Sequence, residues 1–94
     1  MTLEITYSKQ SLKFLKKNNE IIDVSKLREL LFKAARRIIS KEDVNVDLIP
    51  MKGEFLGLFR IRYRNIRIIF QIDSDNQITV VFVETIDFRG SVYK

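Results

Sequence analysis

Phe59-Arg60-Ile61-Arg62-Tyr63-Arg64-Asn65-Ile66-Arg67-Ile68-Ile69-Phe70 decides the fold. Apolar and basic residues alternate on both sides of Arg64-Asn65, and a period of two is the mark of a strand with one buried face. Arg64-Asn65 serves as a two-residue turn, because Asn tolerates a positive φ better than most residues. That register sets Tyr63 against Ile66, Arg62 against Arg67, Ile61 against Ile68 and Arg60 against Ile69. Phe59, Ile61, Tyr63, Ile66, Ile68 and Phe70 then share the core face. Arg60, Arg62 and Arg67 collect on the other.

Downstream, Asp73 to Gln77 is a turn cluster, and Ile78, Val80, Phe82 and Glu84 alternate with Thr79, Val81 and Val83 as a further strand. Upstream, Ser40 to Glu54 has no clean period, holds the one Pro (Pro50), and reads as a connection. Before it, Leu27, Leu30, Leu31, Ala34, Ala35 and Ile38 line one face of a helix capped by Asp23 or Ser25. Arg28, Lys33, Arg36 and Arg37 lie off that stripe. An earlier helix follows Ser8, with Leu12, Phe14 and Leu15 apolar and Lys9, Lys13, Lys16 and Lys17 wet; Asn18-Asn19 ends it. Leu3, Ile5 and Tyr7 mark a first strand. The expected order is β-α-α-β-β-β, an α+β fold with two N-terminal helices packed on a mainly antiparallel sheet.

Composition narrows the chemistry. The 94 residues suit one domain, 1–94, with 46% apolar and 31% charged residues, ordinary for a globular chain. There is no Cys and no His, which removes thiol nucleophiles, disulfides, and the commonest metal ligand and general base. Triad hydrolases, zinc enzymes and redox proteins are thereby disfavoured, and no cofactor or metal is expected. Met1-Thr2-Leu3-Glu4-Ile5 has no signal-peptide character. The apolar run Val80-Val81-Phe82-Val83 is far short of the roughly 20 residues that span a membrane. The expectation is a cytoplasmic protein with no membrane partner.

Seventeen Lys and Arg against 12 acids give a formal charge of +5, which suits an anionic partner. The hairpin concentrates that charge. Arg62 opposite Arg67 is a like-charge pair that costs a sheet about 0.2–1 kcal/mol. No acid lies between Leu58 and Gln71 to relieve it, and Arg64 adds a fourth arginine. One reading is a solvated face neutralised by acids from elsewhere, such as Glu84 or Glu54. The other is a phosphate-binding surface, because the arginine fork grips phosphate oxygens in pairs at any working pH. On the second reading, removing Arg67 should relieve the repulsion and leave the fold intact. Beyond the last strand, Asp87 to Lys94 sets Arg89 and Tyr93 four residues apart, within reach of one pocket if the tail folds back.

Gly57-Leu58-Phe59-Arg60-Ile61-Arg62-Tyr63, then Arg67-Ile68-Ile69-Phe70, then Arg89 with Val92-Tyr93, preceded by Lys52-Gly53, resemble the RelE/ParE superfamily of bacterial toxins over essentially the whole chain. RelE-like members are ribosome-dependent endoribonucleases that cut mRNA in the A site and are restrained by a cognate antitoxin. ParE-like members share the fold and poison DNA gyrase. The resemblance implies catalytic roles for Arg62, Arg67, Arg89 and Tyr93, and RNA contacts for Lys52, Arg60 and Arg64, with mRNA on the ribosome as substrate. A gyrase poison and a non-catalytic RNA-binding domain are the alternatives.

At Arg60 and Arg62 RelE itself has lysines. Metal-free RNA cleavage needs a group to take the ribose 2′ proton, one to protonate the leaving oxygen, and cations around the transition state. A lysine with a lowered pKa can act as base; arginine cannot. The base then falls to Tyr93 or to a carboxylate such as Glu54, with Tyr93 favoured.

Overall fold

The computed structural model describes residues 2–75 and 77–89. Its elements are β1 (Thr2–Tyr7), α1 (Lys9–Lys17), α2 (Val24–Ile39), β2 (Leu48–Pro50), a 3-10 turn (Gly53–Phe55), β3 (Phe59–Tyr63), β4 (Ile66–Ser74) and β5 (Ile78–Phe88). The five strands form one sheet in the order β1-β5-β4-β3-β2. β1 runs parallel to β5, and the remaining pairs are antiparallel. The connection read from the sequence thus contains a short edge strand, β2. Its Pro50 sits where an edge strand tolerates a missing N–H.

The hairpin register is the expected one, with Arg62 opposite Arg67 and Tyr63 opposite Ile66. The positive φ falls on Arg64 (54°), one residue before the expected Asn65. A left-handed conformation costs a non-glycine residue about 1–2 kcal/mol. Contacts of the Arg64 guanidinium offset it: Nη1 donates to the Ile21 carbonyl at 3.4 Å, and the group lies 5.4 Å from the centre of the Tyr63 ring.

Both helices cover the same side of the sheet. Phe14, Leu15, Leu27, Leu30, Leu31 and Ala34 meet Ile61, Ile66, Ile68, Phe70, Val81, Val83 and Ile86 in one cluster. The caps follow the sequence. Ser8 Oγ accepts from the Ser11 amide, and Asp23 Oδ1 accepts from the Lys26 amide at 2.7 Å. Leu12, expected on the buried stripe, is 51% exposed, and Ser11 is buried instead. Ser11 Oγ donates to the Ser8 carbonyl at 2.9 Å, so the polar group goes in satisfied.

Between Ile69 and Phe70 the β4–β5 register shifts by one: Ile69 faces Thr85 and Phe70 faces Val83, leaving Glu84 as the extra residue of a bulge. α1 clamps the strand there. Ser8 Oγ donates to the Glu84 carbonyl at 2.7 Å. The Gln10 amide donates to the Ile86 carbonyl at 2.6 Å and accepts from the Ile86 amide at 3.0 Å, extending the ladder where β1 has ended. At about 0.5–1.5 kcal/mol per bond, Gln10→Ala should destabilise the protein by about 1–3 kcal/mol. It should also speed amide exchange at Ile86 before the centre of β4, and equal protection at both places would assign Gln10 no clamping role.

Candidate nucleic-acid interface

The face of the sheet opposite the helices carries the site. Directly opposed residues point the same way, so rows can be read across the strands. Asp87, Arg67 and Arg62 form one row; Thr85, Ile69, Arg60 and Ile49 form the next. Arg89 continues this face beyond β5. Its amide donates to the Asn65 carbonyl at 2.8 Å and its Nη1 to the Arg64 carbonyl at 3.5 Å. Arg62 and Arg67 are therefore cross-strand neighbours at the turn end of the hairpin, and Arg89 is anchored on the adjoining turn.

Exposure divides them. Arg62 and Arg89 are exposed, whereas Arg60 and Arg67 are only 8% and 4% exposed. Arg67 is opposed by an acid the hairpin alone does not contain: its Nε lies 3.5 Å from Asp87 Oδ1. The neutralising residue is thus Asp87, where the sequence had offered Glu84 and Glu54. Glu84 is the bulge residue, and Glu54 stands exposed in the 3-10 turn at the opposite end of β3. The expectation that losing Arg67 would relieve strain is corrected accordingly, since its loss would strand a partly buried carboxylate.

Burial pushes the Asp87 carboxyl above the ordinary carboxylate range, and the neighbouring Arg67 guanidinium pulls it back only in part. A raised folded-state value means the native protein binds more protons than the unfolded chain just above pH 4. Stability from Asp87 is therefore full below its unfolded value of about 3.9 and is lost as pH rises through the folded value. Asp87→Asn removes this slope. Urea midpoints of the two proteins, measured from pH 4 to 7, should show wild type losing ground to the variant as pH rises. Parallel curves would give Asp87 an ordinary titration.

Of the other sequence-derived residues, Lys52 is exposed at the foot of the loop 53–57, beside the start of β3 rather than the arginine row. Arg64 turns toward the α1–α2 connection, over the Tyr63 ring, and does not join Arg62 and Arg67. Tyr93 lies outside the described residues. Asp87 was missed as a site residue because the bulge decides which way it faces. The signal lay in the acid itself, two residues before Arg89.

A helix-backed five-stranded sheet with an arginine row on its bare face defines the class: a small α+β domain. No protein-family model matches this chain, and no curated protein matches it in sequence. Solved structures do. YafQ from Escherichia coli aligns with TM-score 0.66 at 15% identity, over 99% of this chain and 100% of that one. The YoeB–YefM complex from Staphylococcus aureus aligns with TM-score 0.63 at 24% identity, over 95% and 99%. An archaeal RelE–RelB complex from Pyrococcus horikoshii aligns with TM-score 0.58 at 22% identity, over 97% and 99%. The fold resemblance read from the sequence is borne out. Among the described residues, no helix is long and apolar enough to cross a membrane.

Proposed function

We propose that this protein is the toxin of a toxin–antitoxin pair and a metal-independent endoribonuclease that cuts mRNA in the ribosomal A site. The observation that carries the reading is the Arg62–Arg67 cross-strand pair on the helix-free face of a RelE-like sheet, with Arg89 anchored on the turn beside it. Cleavage by the ribose 2′-hydroxyl builds charge on a pentacoordinate phosphorus. Arginine forks held by strands and by a turn carbonyl can oppose that charge with little reorganisation. Exposed Arg62 and Arg89 grip the phosphate, and Arg67 supplies a shielded positive charge behind them. Arg60 and Lys52 extend the attraction along the RNA. Tyr93, as its phenolate, takes the 2′ proton, because an arginine does not give up its own. The 2′ oxygen bonds to phosphorus as the bond to the 5′ oxygen breaks, leaving a cyclic phosphate, and the departing oxygen takes a proton from water.

The partner is a cognate antitoxin, as in the toxin–antitoxin complexes from Mycobacterium tuberculosis and Methanococcus jannaschii among the structural counterparts. An acidic segment laid over Arg62 and Arg89 would exclude RNA, and the site of action is the cytoplasm. The test is addition of the purified protein to translating ribosomes, with mRNA 5′ ends mapped, beside a gyrase supercoiling assay. Cuts within A-site codons are the expected result. Intact mRNA with inhibited gyrase would transfer the protein to the gyrase-poison class, and neither effect would leave RNA binding alone.

A further inference from the structure

Farther along the same face, beyond the arginine rows, lies an open pocket of about 480 Å³ lined by Gly57, Gln71, Ile72, Asp73, Val80 and Phe82. That volume is within the range of small-molecule sites. The register explains its construction. Gln71 opposes Phe82 and Asp73 opposes Val80, giving two further rows of the sheet. Gly57, at the end of the loop 53–57, forms one rim, and its φ of +97° disfavours any side chain there. At about 3.3 Å per residue, Gln71 stands roughly 13 Å along β4 from Arg67, with Arg60 in the row between.

The lining is mixed in a particular way. Phe82 is half-buried and Val80 is 38% exposed, offering apolar surface. Gln71 and Asp73 are exposed on the same face. The Asp73 carboxylate only accepts hydrogen bonds, whereas the Gln71 amide donates and accepts. An acid here repels phosphate, so the pocket suits a different part of a nucleotide from the one the arginines hold. An aromatic ring beside polar groups is how single-stranded RNA bases are commonly bound, stacked on the ring and read along one edge.

We infer that this pocket is a nucleobase subsite, selective for a base that presents hydrogen-bond donors on its Watson–Crick edge, and that it selects the sequence at which RNA is cut. The inference rests on the RNA-cleaving reading. Guanine, with adjacent N1–H and N2–H donors, meets a carboxylate best. Uracil, with one N–H between two carbonyl oxygens, meets it worst.

Titration of the isotope-labelled protein with GMP, CMP, AMP and UMP, followed by amide NMR, tests the assignment. GMP should shift Gly57, the Gln71 side-chain amide and Asp73, and bind at least tenfold more tightly than UMP. Asp73→Asn should bring GMP and UMP within about twofold of each other. Phe82→Ala should weaken all four by roughly tenfold or more, as loss of a stacking ring does. On ribosomes, Asp73→Asn should redistribute the cut sites. Shifts confined to Arg62 and Arg89, or equal binding of all four nucleotides in the pocket, would overturn the subsite and leave the nuclease reading standing. Selective GMP binding by a protein that never cuts RNA would uphold the subsite and overturn the nuclease.

Discussion

Arg67→Ala is expected to lower the melting midpoint by about 10–20 °C, whereas Arg62→Ala leaves it within a few degrees of wild type. The two arginines are cross-strand neighbours, yet their surroundings differ. Arg67 is 4% exposed, with its Nε 3.5 Å from Asp87, whose side chain is 20% exposed. Breaking a fully buried pair costs about 3–5 kcal/mol. The partial exposure of Asp87 lets water recover some of that, so about 2–3 kcal/mol is the expected loss. For a domain of this size each 1 kcal/mol moves the midpoint by about 4–8 °C. Arg62 is exposed and faces a like charge, so its removal relieves repulsion. Replacing the pair together, Arg67→Met with Asp87→Leu, should recover most of the stability. Cleavage on ribosomes should fall in both single variants, by roughly 10²–10³ for a lost transition-state contact. Calorimetry beside single-turnover cleavage reads both quantities. An Arg67→Ala protein that melts with wild type would remove the ion pair from any structural role, and normal cleavage by folded Arg62→Ala would remove the phosphate site.

Tyr93→Phe should lower cleavage by about 10²–10⁴, the range of general acid–base contributions. The chain has three tyrosines. Tyr7 packs against the helix-side core, where burial raises its phenol further above its ordinary value. Tyr63 also packs on that side, under Lys26 and Arg64. Glu54 is at the far end of β3 from the Arg62–Arg67 row. The chain has no His and no Cys, and the proposed mechanism gives the proton to Tyr93. Its ordinary pKa is near 10, so neighbouring cations must favour the anion, and wild-type cleavage should rise with pH until the phenol is ionised. Tyr93→Phe should lose that rise while binding ribosomes normally, and Tyr93→Ala should be no slower. A Phe variant as active as wild type, with an inactive Ala variant, would make the ring a stacking surface instead.

The β3–β4 hairpin was legible because its apolar residues recur every second position on both sides of a short turn, and that period fixes both register and core face. The α2 stripe was legible for the parallel reason at 3.6 residues per turn. Ser11 in place of Leu12 could not be read from α1, because its burial depends on the β5 backbone lying within reach of its hydroxyl. β2 was hidden by its length, three residues whose pairing with β3 is visible only once β3 is in place. Asp87 shows the boundary most clearly. Strict alternation from Val81 and Val83 would turn it toward the helices and Ile86 toward solvent. The extra residue Glu84 reverses both, burying Ile86 and setting Asp87 beside Arg67. The sequence by itself determined the helices, the hairpin and the surplus of arginine. The tertiary structure decided which arginine is paired, which is open and which turns away, because a bulge and a cross-strand neighbour are set by packing between segments far apart in the chain.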